Sequence, residues 1–294
     1  MMDEDYVARC AALALLLEVS ASPKPGNVDR HHDFADTKYE HFLASSVAAY
    51  PVFRAAAQEG AKWAEEGRKC HIGKLIRAAV EESMRWQSGG NTHFGSFMLL
   101  IPLAAAAGAS EGISRLKANA CEIMQRTTVE DAIELYKAFP KARVRVRSVE
   151  QLDVLDPRSQ DEIRRRGLTL YDILRISADY DAISRELTGG FELTFKYAEV
   201  IREGTRQAGL NAAIVRAYLE MLSTEPDTFV ATKFGEAAAV EVSKRARGVL
   251  ARGCNDEELR RFDEELLRAK INPGATADIT AAAIFVALLG GLRV

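Results

Sequence analysis

Aromatic residues make up only 7% of this 294-residue chain, and cysteines number four. Cys10, Cys70, Cys121 and Cys254 lie far apart and form no CxxC pair, which excludes a disulfide framework and a cysteine zinc site. Scattered thiols suit a reducing, cytoplasmic setting. Charge of either sign is not in excess: 39 Lys+Arg against 42 Asp+Glu leave −3, which argues against a general nucleic-acid binder. The opening "MMDEDYVARC" is acidic where a secretory signal would be basic. The most apolar run, "ITAAAIFVALLGGL" at 279–292, is 14 residues long, short of the roughly 18–20 needed to span a bilayer. No P-loop lysine motif, GxGxxG fingerprint or nucleophile elbow is present.

What remains is helical periodicity. With few aromatics and abundant alanine, the chain favours close helix packing over sheets. "YVARCAALALLLEVSA" is apolar nearly all round, as expected of a helix buried in a larger bundle. The stretch 39–67 reads as one long helix kinked at Pro51. Further helices are expected at 74–87, 94–107, 112–126 and 128–138, then over 170–204, 211–224, 228–253, 256–270 and at the C-terminus. Within 141–156, Val144 and Val146 alternate with Arg143, Arg145 and Arg147, which suits a short extended segment, read either as a phosphate contact or as a solvated loop between helices. The expectation is a single all-α domain over 1–294, bundle-like, with a central polar cleft.

Three polar, glycine-containing breaks interrupt the helices: 18–40, starting "EVSASPKPGNVDR", then "QSGGNTHFGSFMLL" at 87–100 and "KINPGATADITAAAIF" at 270–285. The last two feed directly into apolar helices. The first turn of a helix carries unpartnered N–H groups and the positive end of the dipole, so "GGNTHFG" suits a phosphate cradle with Asn91, Thr92 and His93 adding side-chain bonds. An ordinary N-cap at Asn91 or Thr92 accounts for the same residues. "NPGATAD" has the same two readings, Thr276 as a cap and Asp278 in the first turn. Asp29, Asp33, Asp36 and Glu40 cluster around the first break, a group that suits magnesium with a nucleotide. His31 and His32 beside Asp33 raise zinc as the alternative. Asp172, Asp179 and Glu186 recur at spacings of seven along "YDILRISADYDAISRE", either a solvated stripe or the wall of a polar cleft.

Taken in order, "SPKPGNVDR", "HHDF", "GGNTHFG", "YDILRISADYDAISRELTGGFE", "EPDT" and "NPGATADITAAAIFVALL" resemble the triphosphoribosyl-dephospho-CoA synthase family from about residue 15 to 290. These enzymes are associated with the prosthetic-group precursor of citrate and malonate lyases. The resemblance implies an all-α transferase that moves the triphosphoribosyl part of ATP onto a ribose hydroxyl of dephospho-CoA and releases adenine. It further implies bound Mg²⁺, small nucleotide partners, no nucleic acid, no membrane, and leaves a homodimer open. On the matching positions, Lys24, Gly26, Asn91, Thr92, His93, Asp227, Lys233 and Asn272 are the implied substrate contacts. Asp33, Asp172, Asp179 and Glu186 are the implied catalytic carboxylates, with Asp29, Asp33, Asp36 and Asp278 for metal.

The chain departs from the family pattern at two places. Phe94 follows "NTH" where many members carry a basic residue, and "DTFVATKFG" has Phe229 in place of an asparagine, with Lys233 as a substitute cation. Related ribosyl transfer in another cofactor pathway, hydrolysis of an N-ribosyl or ADP-ribosyl bond, and non-catalytic nucleotide binding are the competing readings.

Overall fold

A computed structural model describes residues 1–142, 152–154, 156 and 158–294. In chain order the helices are α1 (Glu4–Ser20), α2 (Tyr39–Ala48), α3 (Tyr50–Glu66), α4 (Ile72–Trp86), α5 (Phe94–Gly108), α6 (Ile113–Gln125), α7 (Val129–Ala142) and α8 (Arg158–Arg166). The second half adds α9 (Leu170–Ser177), α10 (Ala182–Gly189), α11 (Glu192–Ala208) and α12 (Leu210–Thr224). It ends with α13 (Thr228–Phe234), α14 (Glu236–Ala251), α15 (Asp256–Ala269) and α16 (Gly274–Leu289). Among the described residues there is no strand. The alternating Val144/Val146 segment with Arg143, Arg145 and Arg147 lies outside the described residues.

Helices that are apolar all round sit at the centre. Every residue of α5 is buried, as is all of α16 from Ile279 to Leu289. They pack on each other and on α1, while α3 lies along α5 and α11 along α16. Small residues set the spacing. A Cβ on Gly60 would lie 1.7 Å from the Ala105 carbonyl oxygen, and one on Gly108 would lie 1.9 Å from that of Ala57. The backbones of α3 and α5 therefore touch twice, which alanine and glycine permit and larger side chains do not. Peripheral helices are amphipathic instead. In α15, Leu259, Phe262 and Leu266 face inward at helical spacing, and Asn255 caps the first turn by accepting the Glu258 N–H at 2.9 Å.

Three expected helices are subdivided, each for a local reason. The 39–67 stretch is two helices meeting at Ala49, with Pro51 in the first turn of α3, where its missing N–H costs nothing. The 170–204 stretch is three helices, because Asp181 starts a new one by accepting the Ser184 N–H at 2.8 Å and Gly190 ends it with φ 91°. Gly235, also at φ 91°, separates α13 from α14. Helix α8 is absent from the periodicity reading, since Ile163 is its single buried apolar side chain.

Candidate active site

The breaks between helices surround one cavity of about 270 Å³. Its polar wall is made by Glu18 at the end of α1, by Asn27, by Asn91 to Ser96 at the start of α5, and by Asn272, Gly274 and Asp278 at the start of α16. Ser177, Tyr180, Asp181 and Ser184, at the junction of α9 and α10, face it from another side. The remaining wall is apolar and aromatic. Phe94 and Phe139 pack with ring centroids 4.9 Å apart, beside Tyr136, Leu135, Ile173 and Phe229. Three helices of eight residues or more, α5, α10 and α16, present their first turns to the cavity. Among the described residues no Lys or Arg side chain lines it. Among the described residues, the groups that can offer positive potential to the cavity are therefore helix first turns and not lining Lys or Arg side chains.

Burial governs the ionisable groups here. Asp278 is partly buried at the cavity wall, and loss of water pushes its pKa up to about 8, against the opposing hydrogen bond from the Ser96 hydroxyl. The room it occupies depends on Gly95, where a Cβ would sit 2.2 Å from Asp278 Oδ2. Glu18 is also raised by burial, opposed by Lys24, whose Nζ lies 2.9 Å from Glu18 Oε1. Burial pushes His93 down to about 3. Its Nδ1 lies 2.9 Å from Ser45 Oγ, and its Nε2 has no hydrogen-bond partner.

The expected site residues fall into three groups. Asn91, Thr92, His93, Asn272 and Asp278 line the cavity. Lys24, Gly26, Asp29 and Asp227 are buried just behind its wall. Lys24 holds Glu18, and the Gly26 N–H donates to Asp263 Oδ1 at 2.8 Å. Asp29 accepts the N–H groups of His31 and His32 at 2.8 and 3.1 Å. Asp227 caps α13 through the Val230 N–H and accepts both the N–H and hydroxyl of Thr276 at 2.8 Å, tying α13 to α16. Burial raises its pKa.

The third group lies off the cavity. Asp33 is exposed and accepts the Tyr39 N–H at 2.8 Å, while Asp36 is exposed and meets Gly90 through its backbone carbonyl. Asp172 forms a capping box with Thr169, and Asp179 is exposed. Glu186 accepts the Leu193 and Thr194 N–H groups at 3.0 and 2.8 Å, closing the start of α11. The seven-residue stripe does not form because the helix stops at Ser177, so the residues of the interruption face the cavity instead. Lys233 is exposed over the Phe234 ring and does not line the cavity.

Glu18, Asn27, Ser96 and Asp181 escaped the sequence reading. A glutamate inside "LALLLEVSA" was the available signal, since a charge in an apolar helix is retained only with a partner. Among the described residues no three His, Cys, Asp or Glu side chains gather as a metal-binding group, so the His31/His32/Asp33 zinc alternative has no ligand set there.

Known proteins resemble this chain in sequence and fold. The family model for ATP:dephospho-CoA triphosphoribosyl transferase matches residues 4–293. The chain belongs to that family. It is an enzyme, a transferase that uses ATP and dephospho-CoA, as the family description states. Similar relatives include a "Probable 2-(5''-triphosphoribosyl)-3'-dephosphocoenzyme-A synthase" of Stutzerimonas stutzeri, 28% identical over 96% of this chain and 91% of the relative. One of the same name from Pseudomonas putida is 24% identical over 98% and 96%. A crystal structure of a candidate triphosphoribosyl-dephospho-coA synthase from Archaeoglobus fulgidus superposes with TM-score 0.68 and 30% identity, covering 85% of this chain and all of that one. No described helix is long and apolar enough to cross a membrane.

Proposed function

We propose that triphosphoribosyl transfer takes place in this cavity, with the ribosyl group of ATP against the Asn91–Ser96 and Asn272–Asp278 wall and the adenine ring in the aromatic lobe of Phe94, Tyr136 and Phe139. In the reaction the ribosyl C1–N bond to adenine breaks and a C1–O bond to a ribose hydroxyl of dephospho-CoA forms. The electron pair of the broken bond leaves on adenine, which takes up a proton, and the acceptor hydroxyl gives one up. Asp278 is protonated near neutral pH and faces the cavity, so it is suited to supply that proton. A carboxylate near it stabilises the oxocarbenium-like centre electrostatically, and Glu18, held by Lys24 and close enough to Asp278 to help raise its pKa, is placed for this. Two carboxyl groups in different surroundings, one with a cation and one with a hydroxyl, are the pattern that separates an acid from a charge stabiliser.

The triphosphate fits the first turns of α5 and α16, which both line the cavity. Magnesium fits the donor set as well: one or two carboxylates with phosphate oxygens suffice for it, and the Glu18 oxygen not paired with Lys24 would hold it. Bound there, it would neutralise phosphate charge. The observation that carries the reading is the convergence of Glu18, His93 and Asp278, from three distant parts of the chain, on one cavity.

The test is incubation with MgATP and dephospho-CoA, followed by chromatography and mass spectrometry for free adenine and a heavier CoA product. Adenine formed only when dephospho-CoA is present is expected. Absence of adenine with every divalent metal tried would overturn the proposal. Adenine release without acceptor would turn it into N-ribosyl hydrolysis, and ATP binding without turnover into a nucleotide-binding protein.

A further inference from the structure

Side chains from three parts of the fold meet at a single hydroxyl. Ser45, on α2, is fully buried, and its Oγ receives hydrogen bonds from the Ser83 hydroxyl of α4 at 2.8 Å and the Thr92 hydroxyl at 3.0 Å. His93 Nδ1 lies 2.9 Å from the same oxygen. A hydroxyl has two lone pairs and one proton. Ser83 and Thr92 occupy the lone pairs, so the Ser45 proton is left for His93, and Nδ1 must accept it. A neutral imidazole that accepts at Nδ1 carries its own proton at Nε2. Burial keeps the ring neutral at physiological pH. Phe42 meets the ring edge-on at 5.0 Å and Phe97 flanks it at 5.9 Å, which holds its plane. The Nε2 atom is buried, lacks a partner, and belongs to a side chain that lines the cavity while being only 2% exposed. An unmatched N–H in such a place is costly unless a ligand completes it.

We infer that Ser45 is a positioning residue: it fixes His93 in the Nε2–H tautomer, and His93 donates that hydrogen bond to an acceptor lone pair of the bound nucleotide. The inference rests on the cavity being the substrate site. It also removes His93 from the role of base toward the acceptor hydroxyl, since Nε2 then has no lone pair to offer. The adjoining hydroxyls do no proton chemistry. They orient the ring.

The experiment is long-range ¹H–¹⁵N correlation on the full chain with labelled histidine, the His93 signal being assigned by its loss in His93→Gln. A protonated Nε2 and bare Nδ1 are expected at neutral pH, and a protonated Nδ1 overturns the inference. Ser45→Ala should shift the tautomer toward Nδ1–H and lower kcat/KM about tenfold, the loss of roughly one hydrogen bond. An unchanged tautomer and rate would remove Ser45 from its role. His93→Gln, which keeps an N–H at similar reach, should retain more activity than His93→Leu. ATP and dephospho-CoA are then added singly, and the one that shifts the Nε2 proton carries the acceptor atom. If the amides of Gly95 and Gly274 move while His93 does not, the donor role falls and the substrate site stands. If nothing in the cavity moves with either nucleotide, the site reading itself falls.

Discussion

Asp278 and His93 face the same cavity, yet burial drives their titrations in opposite directions. Asp278 is raised from 3.8 to about 8, so the folded chain holds a proton that the unfolded chain releases. Its contribution is fully present below pH 3.8 and is lost as pH rises through about 8. His93 is lowered from 6.5 to about 3, so its contribution is present above pH 6.5 and is lost as pH falls through about 3. Asp278→Asn is therefore expected to remove part of the decline in stability between pH 5 and 8, read as the urea midpoint at each pH. It should also lower kcat by about 10²–10⁴, the range for a missing proton donor. Wild-type turnover in this variant would take Asp278 out of the reaction. Asp33 provides the contrast, because it is exposed and caps α2. Asp33→Asn is expected to keep adenine release within about twofold and to change stability by less than about 0.5 kcal/mol. Complete loss of turnover would return Asp33 to the catalytic set.

At the scale of elements, close helix approach and site geometry rest on separate glycines. Gly60 lies where α3 touches α5, and the neighbour that an added methyl would meet is the Ala105 backbone. Gly60→Ala is expected to cost about 3 kcal/mol or more in a denaturant titration, since neither helix can yield without repacking the centre. Gly95 lies in the first turn of α5 against Asp278. Gly95→Ala should reduce turnover more than it reduces stability, because the carboxylate can be displaced toward the cavity at modest cost. Equal effects on both measurements would mean that the α5–α16 contact cannot absorb the methyl group.

For the molecule as a whole, binding of substrate to the folded chain alone must raise its stability. MgATP at 100 times its dissociation constant is expected to add about 2.7 kcal/mol, seen as a higher thermal midpoint. Replacing Glu18 by Gln should weaken that shift and also lower the midpoint of the unliganded chain, because the buried Lys24 ammonium loses its carboxylate partner. An undiminished shift would place the magnesium–triphosphate group elsewhere on the cavity wall. The same measurement with dephospho-CoA separates donor from acceptor binding.

The helical class, the buried character of α1, α5 and α16, the three polar interruptions and the family were legible in the linear order of residues. Those features are written in local periodicity and in short contiguous motifs. Which carboxylates face the cavity was not. Asp172, Asp179 and Glu186 share a spacing, but a spacing acts only through an unbroken helix, and this one stops at Ser177 and restarts at the Asp181 cap. Glu18 gained its place through Lys24, six residues on, and Asp278 through Ser96 and Gly95 on another helix. Ionisation in the cavity follows the same division: residue type sets the starting pKa, and only the packed surroundings decide how far water is removed from it.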